Sequence, residues 1–361
     1  MNRLRTPLCD LLGCRYPIIQ TAMGWVSGPE LVAATGNAGG FGFLAGATIA
    51  PEELEGEILR VKQLTQAPFG LNFHMYQPNA GDVVRLVIKH GVRAVSYSRS
   101  PGPEMITRLR DNGVECMPTV GLPKHAVKAV ELGATALTVQ GGEGGGHTGS
   151  VPTSLLIPQV LDAVEGRVPV AAAGGFHDGR GLVAALAWGA DGIAMGTRFL
   201  MTRESAPPES TKHRYVACDN PSDIIVSRAV DGIPQRMINN ETLKRLERAG
   251  GLRKLLIALG SAHRYRKVSG ASMWQMLRSG WSLSRSGDLT LAQSIMSANA
   301  PMIIMKSMID GQPEQGVLPS GQVAGVIDEL LSCEEIIQGI MGEAAARLEA
   351  MADLHANGVS E

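Results

Sequence analysis

Residues 169–199 read PVAAAGGFHDGRGLVAALAWGADGIAMGTRF. A short apolar run ends at Ala173, a glycine turn follows at Gly174 and Gly175, then a helical stretch, a second apolar run over Gly192–Met195 and a second turn at Gly196 and Thr197. This is strand, turn, helix, strand, turn: two consecutive βα units, each presenting backbone amides where its strand ends. Runs that are apolar throughout, rather than alternating, belong to strands covered on both faces, as in a parallel sheet flanked by helices.

The same rhythm extends toward the N-terminus. Strand candidates precede it at Tyr16–Gln20, Phe41–Leu44, Phe69–Asn72, Ala94–Tyr97, Glu115–Pro118 and Ala136–Gln140, and Pro169–Ala173 and Gly192–Met195 complete a set of eight. Eight βα units favour a closed α/β barrel, the (β/α)8 or TIM barrel, over an open sheet. A doubly wound dinucleotide fold is the alternative, but it places GxGxxG after the first strand, and there the chain reads QTAMGWVSG.

After residue 205 the rhythm stops. ETLKRLERAGGLRKLLIALG (241–260) and GASMWQMLRSGWS (270–282) have a helical pattern. The expected organisation is a barrel over 1–204, a mostly helical appendage or lid over 205–310, and a C-terminal helical segment over 311–361 that packs back on the barrel. The appendage is basic: between Arg236 and Arg285 its only acids are Glu241 and Glu247. A solvated helix face is one reading. The other is a patch for a phosphorylated substrate such as a coenzyme A ester, with Arg253, Lys254, Arg264, Arg266 and Lys267 as its candidates.

A net charge of -1 over 361 residues argues against a nucleic-acid or membrane-surface role. No stretch approaches the roughly 20 apolar residues needed to span a bilayer, and no signal-peptide core opens the chain. The five cysteines are scattered without metal-ligand spacing, so no metal site is expected and a reducing cytoplasm fits. No GxSxG elbow or Walker A sequence is present. The sequence leaves the oligomeric state open, a homo-oligomer included.

In a barrel of this kind the turns after the seventh and eighth strands converge on a phosphate. Gly174, Gly175, Gly196 and Thr197 occupy those turns, and turns needed for barrel closure are the alternative reading. The loop VQGGEGGGHTGS (139–150) lets backbone, Gly145 and Gly146 included, lie flat against a planar ligand. An imidazole suits the work of a general base, and the small neighbours of His147 let it approach a reactive edge. His74 and His177 are weaker rivals, and Glu143 is expected to shape the loop rather than react. Gln20, Met23, Gly24, Asn72 and Gln140 follow or end strands at the barrel mouth, where amides suit the edge of a flavin pyrimidine. Each could instead satisfy loop backbone.

YPIIQTAMGWVSGPELVAATGNAGGFGFL (16–44), PFGLN (68–72), QGGEGGGHTG (140–149) and AAGGFHDGRGLVAALAWGADGIAMGTRF (172–199) together resemble the nitronate monooxygenase family, also called 2-nitropropane dioxygenases, over nearly the whole chain. The resemblance implies a barrel that binds FMN, with Met23, Asn72, Lys124, Gln140, Gly174, Gly175, Gly196 and Thr197 as flavin contacts and His147 as the catalytic histidine. MNRLRTPL (1–8), the basic appendage and GVLPSGQVAGVIDELLSC (316–333) look like the steroid-degrading branch that acts on an indane-carboxyl coenzyme A thioester. That branch implies α-proton abstraction with hydride transfer to flavin N5, introducing a ring double bond. Nitronate-oxidising members typically read EAGGH where this chain has Gly144. Oxidation of nitronates with oxygen, NAD(P)H-dependent enoyl-thioester reduction and a flavin-binding sensor without turnover are the competing functions.

Overall fold

The computed structural model describes residues 4–74, 79–98, 102–249 and 299–358. Eight parallel strands close into a barrel: β1 (Ile18–Gln20), β2 (Phe41–Leu44), β3 (Gly70–Asn72), β4 (Ala94–Tyr97), β5 (Glu115–Val120), β6 (Leu137–Gln140), β8 (Val170–Ala173) and β9 (Gly192–Met195). A two-residue strand, β7 (Gly146–His147), follows β6 in the chain and belongs to a separate sheet. Closure is made by β1 and β9, with Ile18 opposite Ile193 and Gln20 opposite Met195. All eight strands expected from the apolar runs are present.

Alternate residues of these strands point inward. Ile19, Phe41, Phe43, Ala94, Met117, Ala171, Ala173 and Ala194 form one buried cluster. The alanines of β8 and β9 are small, and the Phe41 and Phe43 rings, 5.1 Å apart and edge-on, supply bulk from the other side. The N-terminal helix α1 (Pro7–Leu12) adds Leu8, Cys9 and Leu12 to this cluster. The opposite strand faces, Leu71, Val95 and Cys116 among them, pack on the helices α3 (Leu54–Leu64), α4 (Ala80–Lys89) and α5 (Pro103–Asp111).

The chain divides into two compact units. The first comprises residues 1–144, 149–206 and 329–361 and holds the barrel with its helices, including α2 (Pro29–Asn37), α6 (Pro123–Glu131), α7 (Thr153–Val164), α8 (Gly179–Ala187) and the short α9 (Thr197–Leu200). Its last helix runs over Cys333–Gly358 and packs on α8 and α2. Gly179 permits that approach, since a Cβ there would meet the Ala344 nitrogen at 2.5 Å. All five cysteines are buried and none is in a disulfide.

The second unit comprises residues 145–148 and 207–328. The sequence pattern led us to expect helices here. Its described residues include α10 (Glu209–Val216), α11 (Glu241–Arg248) and α12 (Asn299–Met308), but also an antiparallel pair, β10 (Ile224–Ser227) and β11 (Gln235–Ile238), to which β7 is added as a third strand. Two four-residue strands joined through a turn carry too little periodicity to stand out beside a sequence with a charged, helical pattern. Met237, Val230, Leu243, Leu246 and Val317 form the core of this unit. Asn240 caps α11 by accepting the Leu243 N–H at 2.9 Å and donates to the Pro313 and Gly316 carbonyls. No helix among the described residues is long and apolar enough to cross a membrane.

Candidate active site

The barrel unit brings the two glycine turns side by side because β8 and β9 are paired neighbours, Ala173 lying opposite Ala194. Gly174 and Gly175 both have left-handed φ, 98° and 88°, which residues with a Cβ rarely adopt. At Gly174 space matters too: a Cβ would stand 2.9 Å from Thr153 Oγ1 and 3.0 Å from the Gly141 carbonyl. At Gly196 a Cβ would meet Thr21 Oγ1 at 3.2 Å and Met23 Sδ at 3.4 Å. Two bare-backbone turns ending adjacent strands fit a phosphate, which needs N–H donors from several directions without intervening side chains.

The first turn of α8 belongs to other partners. Asp178 Oδ1 accepts the Gly181 N–H at 2.9 Å and Glu343 Oε2 accepts the Gly179 N–H at 2.8 Å. Burial works against charge on Asp178, but the Gly181 N–H and Arg180 outweigh it and hold the carboxyl below the usual aspartate range.

Glu143 ties the loops together. Its Oε2 accepts the Thr153 N–H at 2.9 Å and lies 2.6 Å from the Thr153 hydroxyl, which in turn lies 2.9 Å from the Gly174 carbonyl. The loop after β6 is thereby joined to the start of α7 and to the turn after β8. Gln20 is wholly buried, and its amide nitrogen donates to Ser27 Oγ at 2.9 Å and to the Thr21 and Phe43 carbonyls. Ser27 Oγ also accepts the Met23 N–H at 2.9 Å, so Gln20 shapes the loop that carries Met23 and Gly24. Gly24 leaves room for the Thr48 methyl, 2.8 Å from where its Cβ would be. Asn72 directs its amide nitrogen to Ser96 O and Oγ at 3.1 and 3.2 Å, so its acceptor oxygen is the group it can offer. Lys124 is exposed in the first turn of α6.

Trp25 is a residue the sequence reading passed over. Its φ of 61° is left-handed, a costly conformation for a bulky side chain, in the loop directly after Gly24. The Thr48 hydroxyl accepts its N–H at 3.3 Å.

His147 lies in the second unit, on β7, opposite Gln235 of β11. Gly145 before it gives up its side chain for packing within this unit, as a Cβ would fall 2.6 Å from the Ser320 carbonyl carbon. Gly146 has φ 67° and pairs with Arg236. His147 Nε2 lies 2.7 Å from Asp231 Oδ2, in the turn between β10 and β11. The Asp231 side chain is 4% exposed and that of His147 58%. An imidazole anchored on a buried carboxylate while most of its own surface stays open is suited to proton transfer with a ligand. Asp231 Oδ1 accepts the Ile233 N–H at 3.0 Å and Oδ2 accepts the Gln235 amide at 2.5 Å. Burial opposes its charge, but His147 and these donors prevail and its carboxyl lies below the usual range.

Sequence reasoning missed Asp231 and Gln235. The available signal was DG at 231–232, a turn dipeptide between the apolar runs IIVS and QRMI. Arg253, Lys254, Arg264, Arg266 and Lys267 lie outside the described residues.

The family model described as nitronate monooxygenase matches residues 5–343. The chain belongs to the nitronate monooxygenase family. It is a flavin-dependent oxidoreductase with the family's barrel. Within the family it is 47% identical over 356 residues to (3aS,4S,5R,7aS)-5-hydroxy-7a-methyl-1-oxo-octahydro-1H-indene-4-carboxyl-CoA dehydrogenase of Rhodococcus jostii, covering 99% of this chain and 100% of that one. The protein of the same description from Mycobacterium tuberculosis is 47% identical over 348 residues, covering 96% and 98%. Among solved structures, FabK from Thermotoga maritima superposes with a TM-score of 0.79 at 29% identity, over 97% of this chain and 99% of that one.

Proposed function

We propose that this member of the nitronate monooxygenase family is an FMN-dependent acyl-CoA dehydrogenase that introduces a double bond into an indane-carboxyl-CoA intermediate of steroid degradation. The observation that carries the reading is the His147–Asp231 pair, an exposed imidazole on a buried carboxylate at 2.7 Å. The end-to-end match to two dehydrogenases described as acting on such a thioester supports the substrate class.

The hydrogen on the carbon α to a thioester is acidic enough for an imidazole to take. His147 removes it as a proton, and Asp231 stands behind the resulting imidazolium. When bound, the flavin supplies the acceptor for the β-hydrogen, which leaves with its electron pair as the carbon–carbon double bond forms. Gly174, Gly175, Gly196 and Thr197 would hold the FMN phosphate, and Met23, Gly24, Asn72, Lys124 and Gln140 would contact the rest of the cofactor. Glu143 and Thr153 keep the phosphate turn in shape. Arg253, Lys254, Arg264, Arg266 and Lys267 would meet the coenzyme A phosphates, a charge match read from the sequence alone.

The test is anaerobic titration of the purified yellow protein with an indane-carboxyl-CoA thioester, an alkyl nitronate and NADH in parallel. Bleaching of the flavin band by the thioester is expected. Bleaching by the nitronate or NADH alone would overturn the reading in favour of nitronate oxidation or enoyl-thioester reduction. The family match favours nitronate oxidation as the second reading, since the same imidazole would serve a nitro-stabilised carbon acid.

A further inference from the structure

We infer that Trp25 is a specificity-determining residue whose indole lies against the ring portion of the thioester's acyl group. The inference rests on the reading of the barrel mouth as the place where flavin and thioester meet.

Trp25 sits in the loop between β1 and α2 with φ 61°. Left-handed φ is unfavourable for a residue with a Cβ, and glycine would occupy the position without strain. A bulky residue stays there only when its surroundings over-determine the backbone. They do so here. The Met23 carbonyl accepts the Val26 N–H at 3.1 Å and the Ser27 N–H at 3.0 Å, and Ser27 Oγ accepts the Met23 N–H at 2.9 Å. Thr48 Oγ1 accepts the Trp25 N–H at 3.3 Å and donates its own hydrogen to the Ala45 carbonyl at 3.1 Å. The Ala45 N–H donates to the Ser27 carbonyl at 3.1 Å. The loops after β1 and β2 are thereby one frame around the strained residue.

That frame holds the backbone of Trp25 and makes no use of its indole. Ala22 packs on the inner cluster of the barrel, whereas Trp25, half-buried, belongs neither to that cluster nor to the one under α3, α4 and α5. Among the described residues its hydrogen bond is the one through the backbone N–H, and the paired rings are Phe41 with Phe43, Phe73 with Tyr97 and Phe176 with Trp188. A strained tryptophan that fills neither cluster and bonds to no neighbour through its ring is placed for a ligand.

Its position and chemistry select the ligand. Two residues earlier, Met23 reaches the turn after β9, its Sδ lying 3.4 Å from where a Gly196 Cβ would stand. Trp25 is thus at the C-terminal face of the barrel, beside the residues proposed to contact the flavin. An indole is flat, rigid and mostly apolar, with two side-chain torsions to freeze. It suits a fused carbocycle and not the phosphates of coenzyme A.

The test uses the flavin-loaded protein, with the indane-carboxyl-CoA thioester as reductant of the flavin and butyryl-CoA, which has no ring, as its competitor. In Trp25→Ala the KM for the thioester should rise about 10- to 100-fold, the worth of burying one large apolar side chain. The inhibition constant of butyryl-CoA and the flavin Kd should keep their wild-type values, and Trp25→Phe should recover most of the loss. An unchanged KM overturns the inference. So does an equal rise for butyryl-CoA, which would assign Trp25 to the coenzyme A portion, or an equal rise in flavin Kd, which would assign it to the cofactor. Strain gives a second readout: Trp25→Gly relieves the left-handed φ and should show the raised KM with a Tm above that of Trp25→Ala and no lower than wild type. A Trp25→Gly Tm below wild type would make the indole a packing residue and also overturns the inference. If the thioester fails to bleach the wild type, the dehydrogenase reading fails and this inference with it; if it bleaches wild type and Trp25→Ala alike at the same KM, only the role of Trp25 fails.

Discussion

Gly144 has no room for a side chain because Gln140 fills the space: an added Cβ would sit 2.6 Å from Gln140 Nε2 and 2.8 Å from its Cγ. The amide side chain is flexible at its far end, but its Cγ is near the backbone and gives little. Gly144→Ala should therefore push Gln140 out of its present place rather than be absorbed. If Gln140 contacts the flavin, losing one hydrogen bond of about 1 kcal/mol weakens cofactor binding roughly fivefold, readable as a rise in Kd by flavin fluorescence. An unchanged Kd with a lowered Tm would mean that Gln140 supports the loop and not the cofactor.

The turn at Gly175 separates conformational strain from charge. Its φ of 88° penalises any Cβ, and Gly175→Ala should cost about 1–2 kcal/mol in stability while the protein stays yellow. Gly175→Asp carries the same backbone cost and also puts an anion where a phosphate is proposed to sit, so it should purify colourless. The flavin-to-protein absorbance ratio reads the difference. Equal flavin content in the two variants would remove this turn from the phosphate site.

Thr153 contacts two loops through a single hydroxyl. It lies 2.6 Å from Glu143 Oε2 and 2.9 Å from the Gly174 carbonyl, yet has one hydrogen to give. Thr153→Val keeps the shape and leaves Glu143 with the backbone N–H at 2.9 Å. A loss of about 1–3 kcal/mol in chemical denaturation is expected, because the half-buried carboxylate loses a donor. Thr153→Ser should recover most of it; equal losses for both would point to the methyl group and its packing.

The barrel was readable because its strands carry both of the signals that a single chain offers. Gly192–Met195 is bounded by loop residues and apolar throughout, Ala94–Tyr97 is apolar but for Ser96, and each forms a strand over those same residues. Which face of each strand fills the barrel was not readable, since Val170 and Ala171 are both apolar and only closure decides that Ala171 is inside. The glycine turns after β8 and β9 were legible for the reason that makes them useful: glycine adopts the conformation at 174 and 175 without strain, and residues with a Cβ rarely do. Asp231 was legible as a turn residue but not as the partner of His147, because it lies 84 residues away and meets it through a strand pairing of two residues, too short to leave any periodicity. The reading assigned the loop glycines as one group, whereas Gly144 accommodates Gln140, Gly145 accommodates Ser320 and Gly146 adopts a left-handed φ.

Asp178 gives the pH prediction. As the cap of α8 it accepts the Gly181 N–H at 2.9 Å, and although burial opposes its charge, that bond and Arg180 hold its carboxyl below the usual range. A carboxyl with a lowered folded value stabilises above its unfolded value, near 3.9, and that contribution is lost as pH falls through the folded value. Asp178→Ala should cost about 1 kcal/mol at pH 7, the ordinary worth of a helix cap. As pH is lowered the wild type loses stability and the variant does not lose this share, so the two denaturation midpoints should converge as pH falls through the lowered folded value. A gap between the midpoints that stays constant through the acid range would show that Asp178 acts through shape and not through its charge.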